Sequence, residues 1–351
     1  MSISKTGFVY DPIFLKHTQS GHPENADRLI AILNYLESEN LFNLLEKVPS
    51  RCATQVELCY CHSENYIEKA KEVCHKGGGY LDADTYTTEF TFVAATTAVG
   101  SLIDLTNEVC SGRLKNGFAL VRPPGHHALA ERGMGFCIFG NAAIAAQVGI
   151  KNFNIEKVAI VDFDVHHGNG TEAMVKDDPN ILYISTHQFP FYPGTGSKTE
   201  MGSSTAAGTV LNIPLEPGVG DEGFQRIYNE LIIPKIVKFK PGLIIVSAGY
   251  DAHWNDPLAN LSLSLTGYSW ITKTLVDLSE KLCSGKIVFT LEGGYNLEVL
   301  SIGVANSVRA LLSKDDYEDP FGKPPQREPE ISELLIELKK IHNLYNYYGP
   351  I

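Results

Sequence analysis

Hydrophobic positions along this 351-residue chain gather into short, β-branched runs that leave no polar face. Five stand out: GFALV (117–121), KVAIVDFDV (157–165), ILYIST (181–186), GLIIVSA (242–248) and KIVFTLEGG (286–294). A strand buried on both faces reads this way, as in a parallel sheet covered by helices on either side. Stretches at 24–39, 92–109, 141–149, 222–239 and 266–282 read as helices and alternate with the runs as βα units do. The pattern predicts an α/β class with a three-layer α/β/α arrangement around a central, mainly parallel sheet. No repeat, low-complexity tract or Pro/Gly/Ser-rich linker divides the chain, so residues 1–315 are read as one domain. After Pro320 a polar, proline-bearing stretch leads into an amphipathic segment, 331–345. Residues 316–351 are therefore expected to form a C-terminal extension that packs on the domain or on a partner.

Composition narrows the function classes. At 44% hydrophobic and 20% charged residues the chain reads as globular and long enough to be an enzyme. Its 29 basic and 41 acidic residues give a formal charge of −12, which argues against direct nucleic-acid binding because phosphate needs a basic face. Seven cysteines without a C-x-x-C pair suit reduced thiols and a cytoplasmic setting. The longest uncharged run, 133–150, is broken by glycines, Asn141 and Gln147, and the first residues lack an apolar signal core. No membrane span or export is expected. The oligomeric state is left open.

The chemistry gathers where strands end, the place at which open parallel sheets build their sites. One run ends in Asp162-Phe163-Asp164-Val165-His166-His167-Gly168-Asn169, another in Gly249-Tyr250-Asp251, and a third leads into Arg122-Pro123-Pro124-Gly125-His126-His127. In extended chain alternate residues share a face, so Asp162, Asp164 and His166 project together while Phe163 and Val165 project away. Carboxylates and imidazoles buried at a sheet's end, with little Lys or Arg nearby, need a cation to offset their desolvation. Asp164, His166 and Asp251 would give a divalent ion two oxygens and one nitrogen with a position left open, as a catalytic zinc site does. Two carboxylates cancel most of the ion's charge, so a separate base is wanted, and the His126-His127 pair supplies candidates.

These residues lie in motifs that resemble the zinc-dependent histone deacetylases and their bacterial relatives, of the arginase/deacetylase fold group. RPPGHHA (122–128), GFCIFGN (135–141), VDFDVHHGNGTE (161–172), YPGTG (192–196), SAGYDAHWNDPL (247–258) and LEGGYN (291–296) appear in the family's order. GHPENADRL (21–29) resembles its first substrate loop, and the match spans roughly residues 10–310. The resemblance implies Zn²⁺ on Asp164, His166 and Asp251, and Tyr295 as the donor to the substrate carbonyl as an oxyanion forms. Asp162 matches the partner of His126, and Asn169 the partner of His127, which leans towards the class II type. His127 is then expected to act as general base and acid, with His126 mainly electrostatic. Gly135, Phe136 and Tyr192 match a narrow acyl-lysine tube, slightly more polar at Tyr192, with Asp84 and Leu258 at the rim. Ser185 and backbone oxygens around Asp162, Asp164 and His166 resemble a structural K⁺ site.

The reaction this implies is hydrolysis of an acyl amine, most simply acetyl-lysine. An acetylpolyamine or another small acyl amine is the alternative substrate, although no long insertion falls between Gly79 and Phe92 and Leu258 offers no charge to a polyamine. An arginase-like ureohydrolase would need a second metal, for which only Asp162, His253 and Asp256 are at hand. A silent acyl-lysine binding module would be expected to lack the tyrosine or a ligand, and this chain lacks neither.

Overall fold

The computed structural model describes residues 5–153 and 155–344. Among the described residues there are ten strands: β1 (Lys5–Val9), β2 (Leu45–Lys47), β3 (Gly78–Tyr80), β4 (Tyr86–Thr88), β5 (Leu114–Ala119), β6 (Val158–Asp162), β7 (Ile181–Gln188), β8 (Val210–Leu215), β9 (Leu243–Ala248) and β10 (Ile287–Leu291). Eight form one sheet in the order β2-β1-β5-β10-β9-β6-β7-β8, every neighbouring pair parallel. β3 and β4 make a separate antiparallel hairpin. The five runs singled out in the sequence are β5, β6, β7, β9 and β10. They occupy the interior of the sheet, where β6, β9 and β10 are buried at every position.

The helices are α1 (Ala26–Ser38), α2 (Gln55–Leu58), α3 (Glu64–His75), α4 (Thr91–Cys110), α5 (Asn141–Phe153), α6 (Asn169–Val175), α7 (Asp221–Ile227), α8 (Ile233–Phe239), α9 (Leu265–Cys283), α10 (Leu297–Leu311) and α11 (Ser332–His342). They fall into two groups. α4 packs on α5 and both meet central strands, whereas α1, α10, α9 and α7 pack in succession with α9 and α10 reaching the sheet, giving three layers. The helix expected over 222–239 is α7 and α8 joined by a π-helical turn, Tyr228–Ile232. Pro234 lacks the N–H that an α register would use, and the wider turn accommodates the loss.

The C-terminal extension lies on the α7–α8 arm. Leu335 and Leu338 of α11 are buried in the main core, and Glu328 accepts the backbone N–H groups of Gly220, Glu222 and Gly223, each at 2.9 Å. Of the segment read as amphipathic, only Tyr345 lies outside the described residues.

Candidate active site

Strand order explains how residues far apart in sequence meet. β5, β10, β9 and β6 are consecutive neighbours, so the loops leaving their carboxyl ends are neighbours too. These loops carry His126 and His127, then Glu292 to Tyr295, then Asp251, then Asp162 to His166.

Asp162 closes β6 and turns the chain after it, its Oδ1 accepting the Asp164 N–H at 3.2 Å. Asp164 and Asp251 are wholly buried. Asp164 Oδ1 accepts the His166 N–H at 2.9 Å, and Asp251 Oδ1 accepts the Val165 N–H at 2.9 Å. One ligand atom from each of Asp164, His166 and Asp251 lies within 4.8 Å of the others. Among the described residues the second oxygen of Asp251 has no hydrogen-bond donor, and His166 Nδ1 lies 3.4 Å from it. A buried carboxylate oxygen so placed fits a role as a cation ligand. Gly249 and Gly293 keep the space open, since a Cβ on either would collide with the Asp164 carboxylate.

The two adjacent histidines have different surroundings. His126 Nδ1 meets Asp162 Oδ2 at 3.1 Å, and Tyr183 donates its hydroxyl to that same oxygen at 3.1 Å. Burial alone would lower the His126 pKa, but the Asp164 and Asp162 carboxylates overcome it and push it up to about 10. His127 Nδ1 meets Asn169 Oδ1 at 2.8 Å, the Asn169 amide nitrogen being turned to Met134 Sδ. Burial, followed by the charges of His126 and His166, holds His127 well below its usual value. At neutral pH one ring is therefore an imidazolium and the other a neutral base whose free nitrogen is Nε2.

Tyr295 is fixed from beneath. Its backbone N–H donates to Asp256 Oδ2 at 2.7 Å, and Arg28 donates to the carbonyls of Gly294 at 2.8 Å and Glu292 at 2.5 Å. The Arg28 guanidinium lies 5.1 Å from the Tyr295 ring centre. Burial raises the Tyr295 pKa well above the usual phenol value, so it stays an O–H donor. The Glu292 carboxylate accepts the Gly125 N–H at 2.7 Å, the His126 N–H at 3.2 Å and the Ser247 hydroxyl at 3.0 Å, tying the histidine loop to β9 and β10.

Above these groups lies a cavity of about 250 Å³. Its walls are Gly135, Phe136, Phe191, Tyr192 and Leu258, with His126, His127, His166 and Tyr295 at its base and Asp84 among its lining residues. Phe136 holds a left-handed φ of 68° and donates its N–H to Thr85 Oγ1 at 3.1 Å, a strained geometry kept by its surroundings. Asp82 is engaged by Arg132 at 2.9 Å, which distinguishes it from Asp84. Ser185 lies on β7 opposite Asp162, buried, with its hydroxyl 2.9 Å from His187 Nδ1.

Arg28, Glu24, Arg122 and Glu292 also belong to this site, although little in their spacing along the sequence marks them as functional. The segment 21–29 resembles a substrate loop, yet Glu24 and Arg28 are buried beneath Tyr295, with Glu24 bonded to Arg28 at 3.1 Å and Arg122 at 2.8 Å. A charged pair spaced four apart at the start of a helix was the one available signal. Asp256 and His253 do not join a second metal cluster among the described residues. Asp256 is taken up by the amides of Leu258, Tyr295 and Asn296, and His253 stacks on Trp254. His126, Cys137 and Glu292 also lie close together. Their atoms are committed to hydrogen bonds instead: Cys137 accepts from the His127 N–H and donates to the Gly135 carbonyl, and burial holds its thiol well above its usual pKa.

A profile of the histone deacetylase domain matches residues 22–311. The chain belongs to the histone deacetylase family. It is 40% identical to histone deacetylase 14, chloroplastic, of Arabidopsis thaliana, over 94% of this chain and 83% of that protein. It is likewise 40% identical to a probable deacetylase of Archaeoglobus fulgidus, over 97% and 98%. The crystal structure of the HDA15 HD domain superposes with a TM-score of 0.90 at 35% identity, covering 97% of this chain and 95% of that one. The family assignment and the all-parallel, two-faced sheet agree with the fold expected from the sequence.

Proposed function

We propose that the protein is a zinc-dependent amidohydrolase that removes acetyl groups from the side-chain amine of acetyl-lysine. The observation that carries this reading is the joint position of the Asp164, His166 and Asp251 cluster, the unlike histidine pair and the Tyr295 turn at the base of one narrow cavity. Asp164, His166 and Asp251 would hold the ion. A divalent metal so held supplies Lewis-acid polarisation of a carbonyl and a more acidic water.

The protein's own groups do the rest. Phe136 and Tyr192 flank the apolar methylene chain, and Asp84 is suited to hold the substrate backbone at the mouth. Tyr295 donates its O–H to the acetyl oxygen as negative charge builds there. His127 Nε2 takes a proton from the attacking water and returns it to the leaving amine. His126, kept cationic by Asp162 and Asp164, favours the developing negative charge without moving a proton. The products are acetate and a free amine. Buried Ser185, paired with Asp162 across β6 and β7, suits a structural K⁺ together with backbone oxygens around Asp162, Asp164 and His166.

The seven unpaired cysteines suit a reducing compartment, the cytoplasm in our reading, although two relatives bear "chloroplastic" in their names. Among the described residues no helix is long and apolar enough to cross a membrane. The partners we infer are acetylated substrates rather than nucleic acid.

The test is acetate release by the purified, metal-replete chain from an acetyl-lysine peptide and from an acetylpolyamine. A higher kcat/KM on the peptide supports the reading. A preference for the polyamine moves the assignment to a small-amine deacetylase, and no release from either rejects amide hydrolysis of this class.

A further inference from the structure

At the opposite end of the sheet lies a second cavity, of about 310 Å³, between the segments that lead into β6, β7, β8 and β9. Three lysines line it: Lys157 just before β6, and Lys235 and Lys238 on α8. In a chain of net charge −12 such a cluster is locally against the trend. Among the described residues none of the three forms an ion pair.

Lys235 is the unusual member. Only 8% of its surface is exposed, and among the described residues its ammonium has one polar contact, His342 Nδ1 of α11 at 3.4 Å. Its Nζ lies beside the backbone of the 205–209 loop, where a Cβ on Gly208 would be 3.9 Å away. Buried ammonium groups are normally paired, because an unpaired one forfeits its hydration without return. Here burial and then the neighbouring charge of Lys238 lower its pKa to about 8, which still leaves it mostly protonated at neutral pH. Nor does the histidine neutralise it: burial and the Lys235 charge hold His342 at about 3, so the ring is neutral, and among the described residues its buried Nε2 has no hydrogen-bond partner. Lys157 packs its ammonium over the Phe239 ring at 5.1 Å, which holds that side chain at the cavity wall.

We propose that this cavity is an anion site that binds a phosphate group, free or borne on a small phosphate ester, between Lys157, Lys235 and Lys238. Three ammonium groups more than offset the charge of a phosphate, about −1.5 to −2 at pH 7, and its oxygens accept hydrogen bonds from several donors at once. The cavity lies at the small end of the range for ligand pockets, roughly 300–1,000 Å³, which suits one such group and a modest substituent. Nothing in the catalytic reading uses these residues, so the site stands or falls separately from it.

The experiment is isothermal titration of the full chain at pH 7 and constant ionic strength with inorganic phosphate and, in a second arm, with AMP. Saturable one-to-one binding is expected, and tighter binding of AMP would identify a phosphate ester as the better ligand. Lys235→Met should abolish it, an apolar side chain being acceptable in that buried place. Lys238→Ala, on the exposed side, should weaken it about tenfold, the usual weight of one charged hydrogen bond. Both variants should keep the deacetylase rate. Absence of saturable binding to either probe, or binding that survives both Lys235→Met and Lys238→Glu, would overturn the proposal.

Discussion

Replacing Asn169 by Asp changes one atom next to the proposed base and should move the acid limb of the activity profile. In the native protein Asn169 Oδ1 meets His127 Nδ1 at 2.8 Å, and His127 sits well below its usual pKa. A carboxylate at that place favours the imidazolium. With charge centres ~4 Å apart and an effective dielectric of ~20, the attraction is about 4 kcal/mol, or about three pKa units at ~1.36 kcal/mol each. Asn169 is partly exposed, and both solvent screening and the desolvation of the new carboxylate reduce that figure, leaving an upward shift of about one to two units. A base with a raised pKa loses its free form at higher pH. The acid limb of kcat/KM, set in the native protein by the depressed His127, should therefore rise by about one to two pH units in Asn169→Asp. The assay is a pH–rate profile on a fluorogenic acetyl-lysine peptide at equal metal occupancy. An acid limb that stays in place would refute His127 as the group whose deprotonation governs the reaction.

Other expectations follow from the same geometry. Tyr295→Phe removes one donor and leaves the metal ligands, so kcat should fall by roughly 10²–10³-fold with metal content unchanged on elemental analysis. His127→Ala should cost about 10²–10⁴-fold, as loss of a proton carrier does, and His126→Ala should retain more activity; kcat values in the reverse order would exchange the two roles. Leu338→Ala, at a wholly buried position of α11, should lower unfolding free energy by about 2–5 kcal/mol in urea titration while the folded variant keeps its rate. A loss under about 0.5 kcal/mol would mean that the C-terminal helix contributes little to the fold.

Much of this site was legible in the sequence because strand ends are. The run 157–165 announces a strand by its β-branched residues, with polar groups crowded at its end, but the strand closes at Asp162 and residues 163–166 bend, so Asp164 and His166 meet through that turn rather than through the alternation of extended chain. Which strands would be neighbours was not legible. That order, β5-β10-β9-β6, is what brings His126, Tyr295, Asp251 and Asp164 to one point.

Other elements gave weak signals for physical reasons. β1 and β8 are short and interrupted by Gly7, Asn212 and Pro214, so neither reads as a buried run. α10 is buried from Val299 to Leu311, and a helix covered on every side shows no polar face for a 3.6-residue period to reveal. Arg28, Asp256 and Glu292 act by holding the backbone of other loops, and a side chain that bonds a distant carbonyl or amide leaves no spacing pattern. Their roles could be read only after the fold had placed them.

In the mechanism we propose, one metal ion held by Asp164, His166 and Asp251 is needed for amide hydrolysis in this cavity. The most direct measurement is titration of the demetallated protein with Zn²⁺ while acetate release from an acetyl-lysine peptide is followed, with Asp251→Ala in parallel. Expected from this mechanism are no turnover without metal, a rise that levels off at one equivalent per chain, and neither tight binding nor activity in the variant. Full activity in a verified metal-free preparation, or a plateau reached only at two equivalents, would contradict it.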